Sequence, residues 1–223
     1  MAIQHEHPAA DSPDLPRQIR PWVWNPQTRQ IDVTRRPQAG EPEPDHFAIL
    51  GVPRRLLLEP ETLEIAHRSL IRGLHPDRFH QQGPQAVADA QWHSSRVNDA
   101  WRSLKTLEQR ARYVLILAGE NPEERYQPSP QLLGQMLEAN EAIDEAEHDP
   151  AQLATWLGEF QREAAGLAEK LARAAAAWDR AESAADGEKA AAARAELRAV
   201  LGESRYVHNL LARAEAALAA SPS

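Results

Sequence analysis

An all-α fold is predicted by three observations: low glycine and aromatic content, a C-terminal half dominated by Ala, Leu, Glu, Gln and Arg, and apolar residues recurring at three- and four-residue steps. At 223 residues, the usual size of roughly 100 to 200 residues per domain favours two small domains over one large core. The expected division is an N-terminal extension over 1–43, a first helical domain over 44–120 and a helical bundle over 128–220.

Residues 1–18 are polar and proline-rich, a composition that does not bury enough surface to order itself. In "RPWVWNPQTRQIDVTRRP", Trp22, Val23 and Trp24 precede a turn-prone "NPQ" and an alternating "QIDVT", which reads as a short hairpin. Two strands alone are marginal, so the hairpin has to pack on something. "QAGEPEP", residues 38–44, is a linker. Asp45 is placed to cap a short helix through Phe47 and Leu50. A second helix starts at Pro60, favoured in a first turn, and carries Leu63, Ala66, Leu70 and Leu74 on one face. A third runs from Pro84 to about Leu107, with Val87, Ala90, Val97, Trp101 and Leu104 inward. The two longer helices form an antiparallel hairpin with His75-Pro76-Asp77 near its tip.

"GENPEERYQPSP" is the best boundary in the chain. Beyond it, residues 131–147 make a helix ending before Asp149-Pro150. Leu153, Leu157, Phe160, Ala164, Leu167, Leu171, Ala174 and Trp178 then step as a two-position heptad seam, repeated by Leu197, Val200, Ser204, Val207, Leu211, Ala214 and Leu218. "ADGEK", around Asp186-Gly187, supplies the tight connection. Such a pattern suits either a three-helix bundle or an elongated antiparallel coiled coil.

Several functions are disfavoured. A net charge of −8 and a pI near 5.6 argue against general nucleic-acid binding, which needs concentrated basic surface. Without cysteine there is no disulfide, thiolate zinc site or cysteine nucleophile, and a reducing cytoplasm is the expected location. No apolar run approaches the roughly 18 residues of a membrane span, and "MAIQHEHPAADSPDLP" lacks a signal peptide's apolar core. There is no phosphate-binding glycine loop, nucleophile elbow or helical histidine pair with zinc spacing. His75, His80 and His93 read as scattered surface histidines, and Glu138, Glu141 and Glu145 as a solvated face. No catalytic residue, metal or cofactor is expected.

His75-Pro76-Asp77 alone is ordinary helix punctuation, since Pro76 lacks an amide donor and Asp77 can cap the next turn. Its surroundings add weight: "DHFAILGV", then Arg68 and Arg72 on the second helix, then His-Pro-Asp, Arg78 and Phe79, then "RVNDAWRSL". This order resembles the J domain of DnaJ-type co-chaperones. "HFAILGVPRRLLLEPETLEIAHRSLIRGLHPDRFH" and "VNDAWRSLKTLEQRARYVLILAG", with "LLGQMLEANEAIDEAE" and the terminal helical hairpin, resemble the HscB family of iron-sulfur cluster co-chaperones over about residues 44–219.

The resemblance implies a J domain over 44–120 that docks on the ATP state of a 70-kDa heat-shock chaperone of HscA/DnaK type and stimulates its ATPase. His75, Pro76, Asp77, Arg68, Arg72 and Arg78 are then the chaperone-binding residues. It implies a bundle that holds the scaffold protein IscU through Leu133, Leu137, Glu138, Glu141 and Tyr206, in a protein expected to be monomeric. Periodicity supports this only in part. Leu132, Met136, Ala139 and Ile143 form the stripe best placed to face the bundle, leaving Leu133 and Leu137 about 100° away, as an exposed patch or the edge of a wide core face. One departure is clear: eukaryotic members of the family carry a cysteine-rich zinc module before the J domain, and "VWNP" stands where a cysteine pair would be. Zinc binding there is not expected. Two other readings remain open, a J-domain adaptor for a different client and a structural helical protein with a coincidental His-Pro-Asp.

Overall fold

Asp45 begins the helical part of the chain as its residue type dictates: its Oδ1 accepts from the Ala48 N–H at 2.8 Å, capping α1 (His46–Leu50). At the other end Gly51 takes φ 67°, and the Gly51 and Val52 N–H groups donate to the Ala48 and Phe47 carbonyls at 3.1 and 3.0 Å. A left-handed residue permits this double closure, and glycine adopts it without a steric penalty. Phe47, Ala48, Ile49 and Leu50 are all buried, so α1 is a plug in the core.

The structure, a computed structural model, describes residues 24–25, 30–31, 44–122, 130–145 and 149–220. The expected hairpin is present as β1 (Trp24–Asn25) and β2 (Gln30–Ile31), paired antiparallel with Trp24 opposite Ile31 and Asn25 opposite Gln30. Trp22, Val23, the rest of "QIDVT", the polar segment 1–18 and most of the 38–44 linker lie outside the described residues. The chain forms two compact units, Met1–Tyr113 and Val114–Ser223.

In the first unit α1 packs on α2 (Pro60–Gly73) and α3 (Pro84–Leu104), which also pack on each other. Leu63 and Leu74 of the expected stripe are buried, while Ala66 and Leu70 are half-buried. On α3, Ala90, Val97 and Leu104 are buried as expected, joined by Ala86, His93 and Ala100, which rotates the inner face away from Val87 and Trp101. Trp101 instead stacks on His67 of α2, ring centroids 4.9 Å apart, and His67 Nε2 lies 2.9 Å from Asn98 Oδ1.

The third helix does not run on to Leu107. It ends at Leu104, and a separate helix, α4 (Leu107–Leu117), begins where the Thr106 hydroxyl accepts from the Gln109 N–H at 3.2 Å. Thr106 supplies the new start and Arg110 holds the break. Arg110 is 5% exposed, and it donates from Nε to the Leu56 carbonyl at 2.6 Å and from a terminal nitrogen to the Leu104 carbonyl at 2.7 Å. A helix continuing through Leu104 would occupy that carbonyl with its own ladder. Tyr113 ties α4 to α1: its ring stacks on His46 at 4.3 Å and its hydroxyl oxygen accepts from the His46 N–H at 2.9 Å. Burial pushes the Tyr113 phenol above its ordinary range despite that hydrogen bond.

The second unit holds α5 (Pro130–Glu145), α6 (Pro150–Ser183) and α7 (Gly187–Ala220). The long α6 and α7 pair along their length, and α5 packs on α7 over a core of Ala139, Ile143, Leu153, Phe160, Leu210 and Ala214. Both alternatives are therefore partly right, with an elongated antiparallel pair carrying a third helix at one end. Leu153, Phe160, Leu167, Leu171, Ala174 and Trp178 of the predicted seam are buried, as are Leu197, Val200, Ser204, Val207 and Ala214. Leu157, Ala164, Leu211 and Leu218 are only half-buried, and Ala175, Ala181, Leu201 and Leu210 are buried although off the strict heptad. A straight helix drifts about 20° per heptad against a 3.5-residue repeat, so the core face slips off the predicted positions.

The α6–α7 connection also differs from expectation. Gly187 is already the first residue of α7, and the left-handed residue is Ala185 at φ 53°. The Ala185 and Asp186 N–H groups donate to the Glu182 and Ala181 carbonyls at 3.0 and 2.9 Å, the same closure as at Gly51 but built on a residue with a Cβ. Asp186 accepts from the Lys189 N–H at 3.1 Å. The Lys189 ammonium, 2.8 Å away, holds the Asp186 carboxyl below its usual range, mainly through that side-chain hydrogen bond. Relief of the left-handed cost exceeds the extra chain entropy of glycine, so Ala185→Gly is expected to stabilise the protein by about 0.5–1 kcal/mol. A raised midpoint with unchanged slope in urea unfolding is the expected readout. Among the described residues no helix is long and apolar enough to cross a membrane.

Candidate functional site

Two surfaces gather the residues singled out in the sequence. The first is the turn between α2 and α3. Pro76–Arg78 and His80–Gln82 form successive 3-10 turns, fixed by bonds from the Arg78 N–H to the His75 carbonyl at 3.0 Å and from the Phe79 N–H to the Pro76 carbonyl at 2.8 Å. Leu74, 0% exposed, and Phe79, 8% exposed, anchor the turn on either side. His75, Asp77 and Arg78 are exposed between them. Gly83 at φ 98° then reverses the chain into Pro84, the first residue of α3.

The His75 ring reinforces the turn, because its Nδ1 accepts from the Asp77 N–H at 3.3 Å. That same nitrogen lies 3.5 Å from an Asp77 carboxylate oxygen, and His80 Nε2 lies 3.4 Å from the other. Nδ1 cannot both accept from the backbone and carry a proton toward the carboxylate, so His75 braces the backbone when Nδ1 is bare and pairs with Asp77 when Nδ1 bears the hydrogen. In either state the Asp77 carboxylate, 76% exposed, points outward.

Arg68 and Arg72 lie one turn apart on the exposed side of α2, which runs on toward this turn, with Ile65 beside them, 53% exposed. Arg68 is 3.4 Å from Glu64, both side chains more than half exposed. Such a pair contributes at most about 1 kcal/mol, so a partner carboxylate can displace Glu64 at little cost. The turn and helix together present basic groups beside one outward carboxylate.

The second surface is α5. Ala139 and Ile143 are buried and Met136 is half-buried, as the stripe predicted, while the Leu132 side chain lies outside the described residues. Leu133 is 47% and Leu137 58% exposed, which favours an exposed patch over a wide core face. Glu138 and Glu141 are exposed and Tyr206 of α7 is half-buried. Arg213 of α7 reaches both Asn140 and Asp144, clamping α5 in place. Between α5, α6 and α7 lies a groove of about 210 Å³ that includes Met136, Glu138 and Tyr206. Leu133, Leu137 and Glu141 do not line it.

Ile65, His80 and the α6 side of the groove, where Trp156 stacks on Phe160 at 5.7 Å, were not anticipated as parts of a site. Ile65 had a signal, as an isoleucine off the Leu63–Ala66–Leu70 stripe. Trp156, next to seam residue Leu157, had none that separates groove from core. Among the described residues no group of three or more His, Asp or Glu is placed to hold a metal ion.

The co-chaperone protein HscB homolog of Bordetella pertussis is 34% identical over 120 residues, covering 53% of this chain and 71% of that protein. The chain belongs to the HscB co-chaperone family. The HscB homolog of Azoarcus sp. is 35% identical over 136 residues, 57% of this chain and 76% of its own. The family model described as the HSCB C-terminal oligomerisation domain matches residues 128–215, which take in α5, α6 and most of α7. The fold is shared with chaperone HscB from Vibrio cholerae, at TM-score 0.53 and 21% identity over 77% of this chain and 96% of that one. Human co-chaperone protein HscB matches at TM-score 0.63 and 23% identity over 87% and 89%. An HscB-type J domain followed by a C-terminal helical bundle is the architecture described above.

Proposed function

We propose that this HscB-family chain is a non-enzymatic adaptor of iron-sulfur cluster biogenesis that holds the scaffold IscU on its bundle and presents it to an HscA/DnaK-type chaperone, whose ATPase it stimulates. Residues 44–120 act as the J domain and 128–220 as the client domain. The carrying observation is the α2–α3 turn, where a hydrogen-bonded, doubly anchored loop presents an exposed Asp77 carboxylate and Arg78 at the end of the helix that carries the exposed Arg68 and Arg72. Asp77 pairs with an arginine of the chaperone, the three arginines steer toward its acidic surface, and His75 with Pro76 removes the cost of ordering the loop on docking. The bond-breaking chemistry stays in the chaperone's nucleotide site.

In the second unit, Leu133 and Leu137 supply apolar anchors for IscU, with Tyr206, Glu138 and Glu141 as flanking contacts. Tethering raises the effective concentration of client at the chaperone. The test is a steady-state ATPase assay with the cognate HscA-type chaperone: the chain stimulates it, and IscU increases the effect further. An unchanged ATPase rate would end this reading.

A second reading of the α5 patch is favoured by the matched domain's description as an oligomerisation domain. There Leu133 and Leu137 pair two copies of the chain instead of holding a client. Sedimentation velocity separates the two, since client binding leaves a concentration-independent monomer and self-pairing does not.

A further inference from the structure

The groove between α5, α6 and α7 has a floor and a rim of different chemistry. Its floor is Trp156, Phe160, Tyr206 and Met136. Its rim carries Glu138 from α5 and, from α6, Glu159 and Glu163, all exposed. Glu159 and Glu163 are four residues apart and share one face of α6. Arg162 comes within 4.0 Å of Glu159 through a side chain 79% exposed, too loose a pair to neutralise the rim. At about 210 Å³ the groove is smaller than the roughly 300 Å³ at which small-molecule sites usually begin. One long side chain suits it better.

An aromatic floor under carboxylates complements a side chain with an apolar stem and a cationic tip. The stem lies on the rings, and the tip meets both the ring faces and the glutamates. The floor also continues toward the exposed apolar patch, because Met136 lies three residues from Leu133 on α5, one turn along the same face.

We infer that the groove takes a lysine or arginine side chain of the client segment whose apolar residues cover Leu133 and Leu137. The inference rests on the client-binding reading and adds a charge requirement: a client qualifies by a basic residue beside its apolar anchor, and Glu159 and Glu163 of α6 select it. Rim carboxylates act over distance, so this selection is salt-sensitive while apolar anchoring is not.

The test is calorimetric titration of IscU into the full chain at about 50 and about 300 mM NaCl, with wild type, the Glu159→Gln/Glu163→Gln double variant and Leu137→Ala. Both glutamates are exposed, and circular dichroism verifies that the variants fold. The glutamine variant is expected to bind about tenfold more weakly at low salt and to lose most of the wild-type salt dependence. Leu137→Ala is expected to be weak at both salts. A glutamine variant that keeps wild-type affinity and salt dependence overturns the inference and leaves the client reading standing on Leu137→Ala. Wild type that does not bind IscU, or Leu137→Ala that binds normally, overturns the client reading and the inference with it.

Discussion

Asp77→Asn is expected to abolish stimulation of the chaperone ATPase while leaving the fold and client binding intact. The substitution keeps the shape of the side chain and removes its charge. Asp77 is 76% exposed and its histidine contacts are at 3.5 and 3.4 Å, so little stability depends on it, and the unfolding free energy should change by less than about 0.5 kcal/mol. Docking is different, because the carboxylate is then taken out of water against its partner. Removing one member of a desolvated, hydrogen-bonded charge pair costs about 2–5 kcal/mol, a loss of roughly 30-fold or more in productive docking. Stimulated ATPase rate against co-chaperone concentration measures this directly. Retention of most of the stimulation would mean that Asp77 is only the helix punctuation its residue type first suggests.

The second large effect is expected from Leu133→Ala combined with Leu137→Ala. Both side chains are about half exposed, so truncation leaves no cavity and should change stability by no more than about 0.5 kcal/mol. As apolar anchors at the centre of a protein contact they are worth far more, about 2–4 kcal/mol together, which is a 30- to 1,000-fold weaker complex. IscU titration reads the loss, and basal J-domain stimulation without IscU should be untouched. The two variants therefore separate the two functions: one holds its client but cannot signal, the other signals but cannot hold.

Much of this was legible in the residues because local chemistry and tertiary context agree. Asp45, Pro60 and Pro84 open helices where their side chains predict, and Leu63, Leu74, Val97 and Phe160 are buried where their spacing predicts. Failures occur where a long-range contact decides. Thr106, with Gln109 three residues later, is a helix-start signal that the apolar spacing up to Leu107 outweighed; the buried Arg110, reaching back to the Leu104 and Leu56 carbonyls, holds the break. Leu210 replaces Leu211 in the core because drift accumulates along a 34-residue helix. Ala185 takes a conformation suited to glycine because the closure of α6 falls there, two residues before the glycine the sequence offered. The candidate site obeys the same rule. Leu133 and Leu137 were identifiable as off-stripe, but the groove needed three helices to be brought together before Trp156, Glu159 and Glu163 acquired a meaning.

The length of α6 has a practical corollary. From Phe160 at the groove to Ser183 before the turn is roughly 35 Å of helix. The Ala185 turn is thus an attachment point well removed from the surface proposed to hold the client, made mostly of exposed residues. A fluorophore, an affinity handle or a fused domain placed there would stand clear of that surface.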